Sequence, residues 1–144
     1  MTGNSRFAVS VHILAYLAYR QSVAVPSVEI AASVDTHPVV IRRLLSALLK
    51  ARLVTAQKGA TGGFALATAP AKISLRDIYR AVEPNPTHGL AHFTPNTKCP
   101  VGAKIQSILA AAFLKAQASM ESELARVTLA SIHEQLRPVC PGKR

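Results

Sequence analysis

The stretch from Pro38 to Lys50 reads Pro-Val-Val-Ile-Arg-Arg-Leu-Leu-Ser-Ala-Leu-Leu-Lys, and it decides the fold. Its apolar residues recur at the spacing of one face of an α-helix. That face carries Ile41, Leu44, Leu45 and Leu48. The other face carries Val39, Arg42, Arg43 and Ser46. The pattern predicts a helix that buries one side and leaves paired arginines outside, with Thr36 as its cap and Pro38 in its first turn.

Upstream of this helix the sequence predicts two further helices. One runs from Arg6 to Arg20 and has a broad apolar side. The other begins at Pro26 and Ser27, where proline suits a first turn and serine suits a cap, and it ends at Val34. A tight turn over residues 35–38 joins it to the next helix. Two short helices joined by such a turn form the helix-turn-helix pattern of DNA-binding proteins.

Downstream of the Pro38–Lys50 helix the apolar period changes and predicts a β-hairpin. Leu53–Gln57 and Phe64–Ala67 have the pattern of two strands. Between them lies Lys58-Gly59-Ala60-Thr61-Gly62-Gly63, whose glycines permit the positive φ angles of a hairpin tip. A phosphate-binding loop of the Walker type is excluded, because no Gly-Lys-Ser/Thr follows. A hairpin directly after a helix-turn-helix is a wing, and Lys58 and Thr61 can then reach DNA phosphates.

The C-terminal part predicts a long helix that pairs with a second copy of the chain. A short helix capped by Ser74 covers residues 75–82, residues 83–100 break the pattern with prolines, and a last helix covers residues 128–136. The long helix between them carries the expected dimerisation residues Ile105, Ile108, Leu109, Ala112, Phe113, Ala116 and Met120. Because Leu114 lies on a second apolar flank, the helix needs two partners, its own domain and a twin. The alternative is a helix packed wholly inside a monomer.

Composition and charge restrict the class of protein. The chain has 144 residues, of which 49% are hydrophobic, so it forms about one domain and is not disordered. Seventeen Lys and Arg against seven Asp and Glu give a net charge of +10, which favours a polyanionic partner: nucleic acid, an anionic membrane surface or the ribosome. No apolar run is long enough to span a membrane. We expect a cytoplasmic protein without a membrane partner and with reduced cysteines, Cys99 and Cys140.

Several motifs along the chain occur in the order of a known family. They are Arg6-Phe7-Ala8-Val9, Val39-Val40-Ile41-Arg42-Arg43-Leu44-Leu45, Leu53-Val54, Lys58-Gly59-Ala60-Thr61-Gly62-Gly63-Phe64-Ala65-Leu66-Ala67 and Ile73-Ser74-Leu75-Arg76-Asp77-Ile78. This order resembles the Rrf2 family of bacterial transcription regulators, the relatives of IscR, NsrR and CymR. The resemblance implies a homodimeric winged-helix protein, with a recognition helix in the major groove, a wing on the minor groove or backbone, and a long helix that crosses its twin.

The resemblance also raises the question of a cofactor. The best-known family members hold an iron–sulfur cluster with three cysteines just before the dimer helix, and here that segment has only Cys99. Because a cluster needs about four ligands, the chain resembles the cluster-free branch, and we expect no cofactor and no metal. Cys99 lies beside Lys98 near a helix start, so it is a candidate redox-sensitive thiol, with an inert loop cysteine as the alternative. His88 and His92 favour a solvated loop over a zinc site.

These patterns predict a mainly α fold with a small β-hairpin. A winged helix-turn-helix domain covers residues 1–83, a candidate sensor loop covers 84–100, and the dimerisation helix with a tail covers 101–144. The expected DNA-binding residues are Ser27, Thr36, His37, Val39, Arg42, Arg43, Ser46, Lys58, Gly59, Thr61 and Gly62. We expect a homodimeric, sequence-specific regulator of transcription, a repressor that responds to a redox signal or a small effector. It is not an enzyme, because no nucleophile and base stand in a catalytic pattern. The alternative is a winged-helix module that binds protein or RNA and has no operator.

Overall fold

The structure, a computed structural model, describes residues 3–21, 23–83 and 94–137. The helices are α1 (Gly3–Tyr19), α2 (Ser27–Val34), α3 (Pro38–Lys50), α4 (Leu75–Val82), α5 (Pro100–Leu124) and α6 (Leu129–Leu136). The strands are β1 (Val54–Gln57) and β2 (Gly63–Leu66), and a short 3-10 helix covers Pro70–Lys72. A mainly helical chain with one small antiparallel hairpin is the predicted fold class, which is confirmed.

The chain divides into two compact units. The first holds α1 to α4, the hairpin and α6, and the second consists of α5 as far as Glu123 with the residues just before it. The sequence grouped α6 with the long helix. In the structure α6 packs on α1, and the side chain of Leu129 is fully buried in the core of the first unit. Two backbone hydrogen bonds hold its start there, from Leu75 N–H to the Val127 carbonyl at 2.9 Å and from Leu129 N–H to the Ile73 carbonyl at 2.8 Å.

The core of the first unit is aliphatic, as a chain with 5% aromatic residues and no Trp requires. Helix α1 packs against α2, α3, α4, α6 and β2, and it buries Ile13 and Leu14 completely. Helix α3 buries the stripe that its sequence predicts, Ile41, Leu44, Leu45 and Leu48. Each such side chain contributes about 2 kcal/mol by leaving water, so this stripe fixes how α3 is rotated on the core.

The hairpin is attached to the segment just before α2. Its two strands pair antiparallel, from Val54 with Leu66 to Gln57 with Gly63. Val25 adds a further bridge: the N–H groups of Val25 and Phe64 each donate to the other residue's carbonyl at 2.8 Å. The predicted strands are confirmed, each displaced by about one residue. The extra bridge fixes the base of the hairpin to the start of the helix-turn-helix.

Two predicted helix caps are wrong. Pro26 is the cap residue of α2 and Ser27 is its first helical residue, so the Ser27 hydroxyl does not cap that helix. The cap of α3 is His37, whose imidazole Nδ1 accepts a hydrogen bond from the Val39 N–H at 3.2 Å. Thr36 instead closes the end of α2, because its N–H donates to the Ala31 carbonyl at 3.1 Å. Pro38 follows the cap directly and begins the helix, as predicted.

The predicted cap of α4 is confirmed, and α6 has a cap that the sequence analysis did not predict. Ser74 begins α4 with a full capping box, in which its hydroxyl accepts from the Asp77 N–H at 3.2 Å and the Asp77 carboxylate accepts from the Ser74 N–H at 2.9 Å. Thr128 caps α6 by accepting from the Ser131 N–H at 3.2 Å. Helix α5 begins at Pro100, one residue before the predicted segment 101–144 that contains the dimerisation helix.

Candidate nucleic-acid interface

One face of α3 carries the side chains that the sequence predicts for DNA binding. Burial of the Ile41, Leu44, Leu45 and Leu48 stripe turns the opposite face outward. That outward face holds Val39, Arg42, Arg43 and Ser46, all of them exposed. Val39 keeps 49% of its surface exposed, although it is apolar. An apolar group beside two arginines suits the major groove, where thymine methyl groups and purine acceptors lie side by side.

The first turn of α3 gives His37 a defined chemical role. Its Nδ1 accepts the Val39 N–H, so the neutral ring carries its proton on Nε2. The side chain is exposed, and Nε2–H is therefore a donor at the start of the helix. Phosphate oxygens and purine N7 atoms accept such a bond. The sequence included His37 among the binding residues, but its role as the cap went unpredicted.

The start of α2 contacts α3 directly. Arg42 Nε donates a hydrogen bond to the Ser27 hydroxyl at 3.3 Å. Further along α2, Glu29 forms an ion pair with Arg20, and the Tyr16 hydroxyl donates to the Glu29 carboxylate at 2.7 Å. The Glu29 carboxylate of α2 is thus paired with side chains from α1 and the residue after it. Its negative charge is therefore neutralised without the arginines of α3.

The hairpin tip exposes the predicted wing residues. Lys58, Gly59 and Thr61 are exposed, and the Gly62 N–H donates to the Gly59 carbonyl at 3.0 Å to close the turn. Gly59 has a φ of 107°, which favours glycine. Gly62 is required for another reason, because a Cβ there would lie 2.2 Å from the Gln57 carbonyl oxygen. The tip is thus shaped by its own backbone, and its side chains are left for an external partner.

Positive charge follows this surface from α3 to the wing. The exposed basic residues are Arg42, Arg43, Lys50, Arg52 and Lys58, and no acidic residue lies between His37 and Gly63. The segment at the start of α2 contacts both other parts of this surface. Val25 pairs with the hairpin, and the Ser27 hydroxyl accepts a hydrogen bond from Arg42 of α3. The result is a basic recognition surface, made of the start of α2, the outward face of α3 and the wing tip.

The order of these elements is that of a winged helix-turn-helix, and comparison with known proteins decides the family. Residues 3–135 match the model of the Rrf2 family, described as "Iron-dependent Transcriptional regulator". The chain belongs to the Rrf2 family. The family resemblance carried by the sequence motifs is thereby confirmed. As an Rrf2 protein, the chain is a transcriptional regulator and not an enzyme.

Individual relatives share most of the chain's length. It is 43% identical to YwnA of Bacillus subtilis (strain 168), named as a candidate HTH-type transcriptional regulator, over 133 residues that make up 92% of this chain and 98% of the relative. A crystal structure of a candidate DNA-binding protein is 41% identical, with a TM-score of 0.70, over 88% of this chain and 97% of the other. A candidate transcriptional regulator from Lactobacillus plantarum is 29% identical, with a TM-score of 0.79, over 92% and 89%.

The description of the Rrf2 family as iron-dependent makes the metal-binding capacity of this chain a relevant question. Within residues 3–21, 23–83 and 94–137, no group of three or more His, Cys, Asp and Glu side chains could hold a metal ion. The described cysteine, Cys99, is exposed and free. His88, His92 and Cys140 lie outside the described residues. A single exposed thiol does not fit an iron–sulfur cluster, which needs about four ligands.

Cys99 lies one residue before α5 in a setting that favours its thiolate. The backbone N–H groups of Gly102 and then Val101 hydrogen-bond to its sulfur and lower the pKa of the thiol below the usual value. Both N–H groups belong to the first turn of α5, and the neighbouring Lys98 is not among the causes of the lowered pKa. Gly102 has no room for a Cβ, which would lie 2.1 Å from the Asn96 carbonyl oxygen. The chain before α5 is thus folded closely over the first turn of that helix.

The predicted dimerisation residues line α5, and most of them are exposed. Ile108 keeps 60% of its surface exposed, and Phe113 is half-buried. Exposure extends to Leu114, at 73%, on the second apolar flank. No helix within the described ranges is long and apolar enough to cross a membrane. The apolar side chains that the sequence predicts for dimerisation are thus largely exposed along α5.

Proposed function

We propose that the chain is a homodimeric, sequence-specific DNA-binding repressor of transcription. The observation that carries the proposal is the basic recognition surface of an Rrf2 protein, where exposed arginines, a histidine donor and an apolar side chain stand on one helix. Its relative YwnA is named as a candidate HTH-type transcriptional regulator, which agrees with this function. A regulator of this kind works where the chromosome is, so we place it in the cytoplasm.

The proposal assigns a place on DNA to each part of the recognition surface. The outward face of α3 and its cap residue enter the major groove with His37, Val39, Arg42, Arg43 and Ser46. Lys58 and Thr61 at the wing tip lie against the backbone, where their exposed side chains can reach phosphates. Binding releases counterions, so affinity falls steeply with salt.

The second half of the proposal is the dimer through α5. Its exposed apolar residues, Ile105, Ile108, Leu109, Ala112, Ala116 and Met120, would pack on the same helix of a second copy. A two-fold dimer presents two α3 helices about 34–36 Å apart to two half-sites. A dimer seated on a promoter occupies the DNA that RNA polymerase needs, so binding alone is enough to repress.

We further propose that the regulator holds no iron–sulfur cluster and that Cys99 senses oxidants. The cysteine count supports the first part, since the chain has two cysteines in all. The lowered pKa of the exposed Cys99 thiol supports the second. Hydrogen peroxide would transfer one oxygen atom to the sulfur of the Cys99 thiol, giving a sulfenic acid and water. Operator binding with and without peroxide, in the wild type and in Cys99→Ser, tests this part, and an equal response of both proteins contradicts it.

Selection of bound fragments from random and genomic DNA tests the DNA-binding function. The wild type should enrich a two-fold symmetric sequence that it binds in excess competitor DNA. The double variant Arg42→Ala/Arg43→Ala should lose that enrichment, because it removes two charges from the recognition surface. The matched control Lys72→Ala/Arg137→Ala removes two exposed charges elsewhere on the first unit and should keep it. Equal enrichment by all three proteins, or none by the wild type, contradicts the proposal.

A further inference from the structure

The hydrogen bond between Ser27 and Arg42 joins two helices at the centre of the recognition surface. Its partners are fifteen residues apart, and the bond runs from Nε of the arginine to the hydroxyl of the serine at 3.3 Å. The Ser27 hydroxyl does not cap α2, because Pro26 occupies the cap position. Arg42 is exposed, so its guanidinium could be hydrated by water instead of making this contact. The bond therefore fixes the direction of a side chain that would otherwise move freely.

The bond also decides which edge of the guanidinium remains available. An arginine carries five N–H donors in a planar fork, and the one on Nε points along the side of that fork. With Nε–H given to Ser27, the two terminal nitrogens still present a parallel pair of N–H groups. Such a pair matches two hydrogen-bond acceptors that lie side by side, as O6 and N7 do in guanine and as two oxygens do in phosphate.

Ser27 is itself held firmly, so it can serve as an anchor. Pro26 has an extended conformation with φ −62° and ψ 146°, and Val25 before it is bonded to Phe64 of the hairpin. On the other side, Glu29 is engaged by Arg20 and the Tyr16 hydroxyl. Its carboxylate does not compete for the guanidinium of Arg42. A neutral hydroxyl orients the arginine without cancelling its charge, which a carboxylate would do.

We propose that Ser27 is a positioning residue for DNA recognition, which holds Arg42 so that its terminal N–H pair meets two adjacent acceptors on the DNA. The inference rests on the proposed function and assigns to Ser27 an indirect role. Ser27 is among the residues that the sequence predicts for DNA binding. Here it acts through Arg42 and not through a contact of its own. Fixing the arginine in advance lowers the entropy lost on binding, which raises affinity and lengthens the life of the complex.

A double-mutant cycle on the selected DNA sequence tests the proposal. Ser27→Ala should weaken binding roughly three- to tenfold, the range expected for loss of one oriented hydrogen bond. Arg42→Ala should weaken it roughly ten- to a hundredfold. In the Arg42→Ala background, Ser27→Ala should have no further effect, because the residue it positions is gone. Ser27→Thr keeps the hydroxyl and should restore affinity.

Ser33→Ala is the matched control. Ser33 lies on the same helix and is exposed, and its hydroxyl is hydrogen-bonded to His12 Nε2 at 2.9 Å, outside the recognition surface. Loss of this hydroxyl should leave DNA affinity unchanged.

Two further experiments identify the acceptors on the DNA that Arg42 contacts. If they belong to guanine, replacing that base by 7-deazaguanine should weaken the wild type and not Arg42→Ala; if they are phosphate oxygens, Arg42→Ala should reduce the salt slope by about one.

The outcomes separate this inference from the proposed function. If Ser27→Ala weakens binding equally in the Arg42→Ala background, Ser27 contacts DNA itself and the positioning role is wrong. If Ser27→Ala leaves affinity at the wild-type value while Arg42→Ala weakens it, the hydrogen bond has no role in recognition. If the wild type binds no selected DNA sequence, the proposed function fails and the positioning role fails with it. Melting curves of every variant confirm that each one is folded.

Discussion

Replacing Gly63 by alanine should loosen the wing from the helix-turn-helix. A Cβ at this position would stand 2.4 Å from the Val25 carbonyl carbon and 2.5 Å from its oxygen. Both atoms are backbone, so they cannot move aside without separating the two chain segments. Gly63 also has a φ of 151°, a conformation that L side chains rarely adopt. The neighbouring Phe64 makes the two bridge hydrogen bonds at 2.8 Å, and these should be lost.

The expected destabilisation follows from these contacts. Strain at such a φ costs about 1–3 kcal/mol. Loss of two backbone hydrogen bonds adds about 1 kcal/mol each. Alanine also lowers the conformational entropy of the unfolded chain, which offsets about 0.5–1 kcal/mol of this destabilisation. The net loss in the free energy of unfolding is about 2–4.5 kcal/mol, a large part of the 5–15 kcal/mol typical of a domain.

Chemical denaturation of Gly63→Ala and Gly59→Ala measures the effect with its control. Gly59 also has a positive φ, 107°, but a Cβ there would meet nothing within 4 Å. It therefore has the strain without the close approach, and after the same effect on the unfolded chain its net loss should be about 0–2.5 kcal/mol. Gly63→Ala should be the less stable variant and should bind DNA more weakly. Equal stabilities for the two variants would refute the idea that the wing base is pinned to Val25.

Three further predictions concern α5 and Cys99. Ile108→Asp should give monomers in light scattering, because a carboxylate in the apolar dimer seam costs several kcal/mol, whereas the control Ser107→Asp should stay dimeric; a wild-type monomer at micromolar concentration would refute the dimer. In a Cys140→Ser background, alkylation of Cys99 should begin at lower pH in the folded protein than in the urea-unfolded protein, because the lowered pKa gives thiolate at lower pH. Coincident pH profiles for the two states would contradict a lowered pKa of Cys99. Protein purified without oxygen should be colourless, and a brown product with stoichiometric iron and sulfide, lost on Cys99→Ser, would show that a cluster is bound.

Much of the fold was predictable because it depends on local patterns. The buried stripe of α3 repeats at the period of a helix, and its amphipathic spacing also places Arg42 and Arg43 outside. Gly59 and Gly62 of the wing tip meet backbone requirements that lie within a few residues. The Ser74 capping box is likewise a contact within one turn. Such features depend on residues that are close in sequence, so they can be predicted from the sequence.

The features that were not predicted depend on partners distant in the chain. No periodicity in the sequence indicates that Val25 pairs with Phe64 or that Ser27 accepts a bond from Arg42. Both bonds arise from how the hairpin and α2 are packed around α1 and α3. The cap of α3 was assigned to Thr36 because hydroxyl side chains are preferred there. The chain instead uses the Thr36 backbone to end α2, and the imidazole of His37 takes the free position.

The most direct test of the central claim is the stoichiometry of the complex on a selected DNA fragment, measured by light scattering in excess competitor DNA. We predict two chains on one duplex, with half-sites about 34–36 Å apart, one turn of DNA. Lengthening the spacer by about half a turn should weaken binding strongly, because only one α3 helix of the dimer could then reach its half-site. One chain per duplex, or a complex that competitor DNA removes, would contradict a homodimeric, sequence-specific regulator.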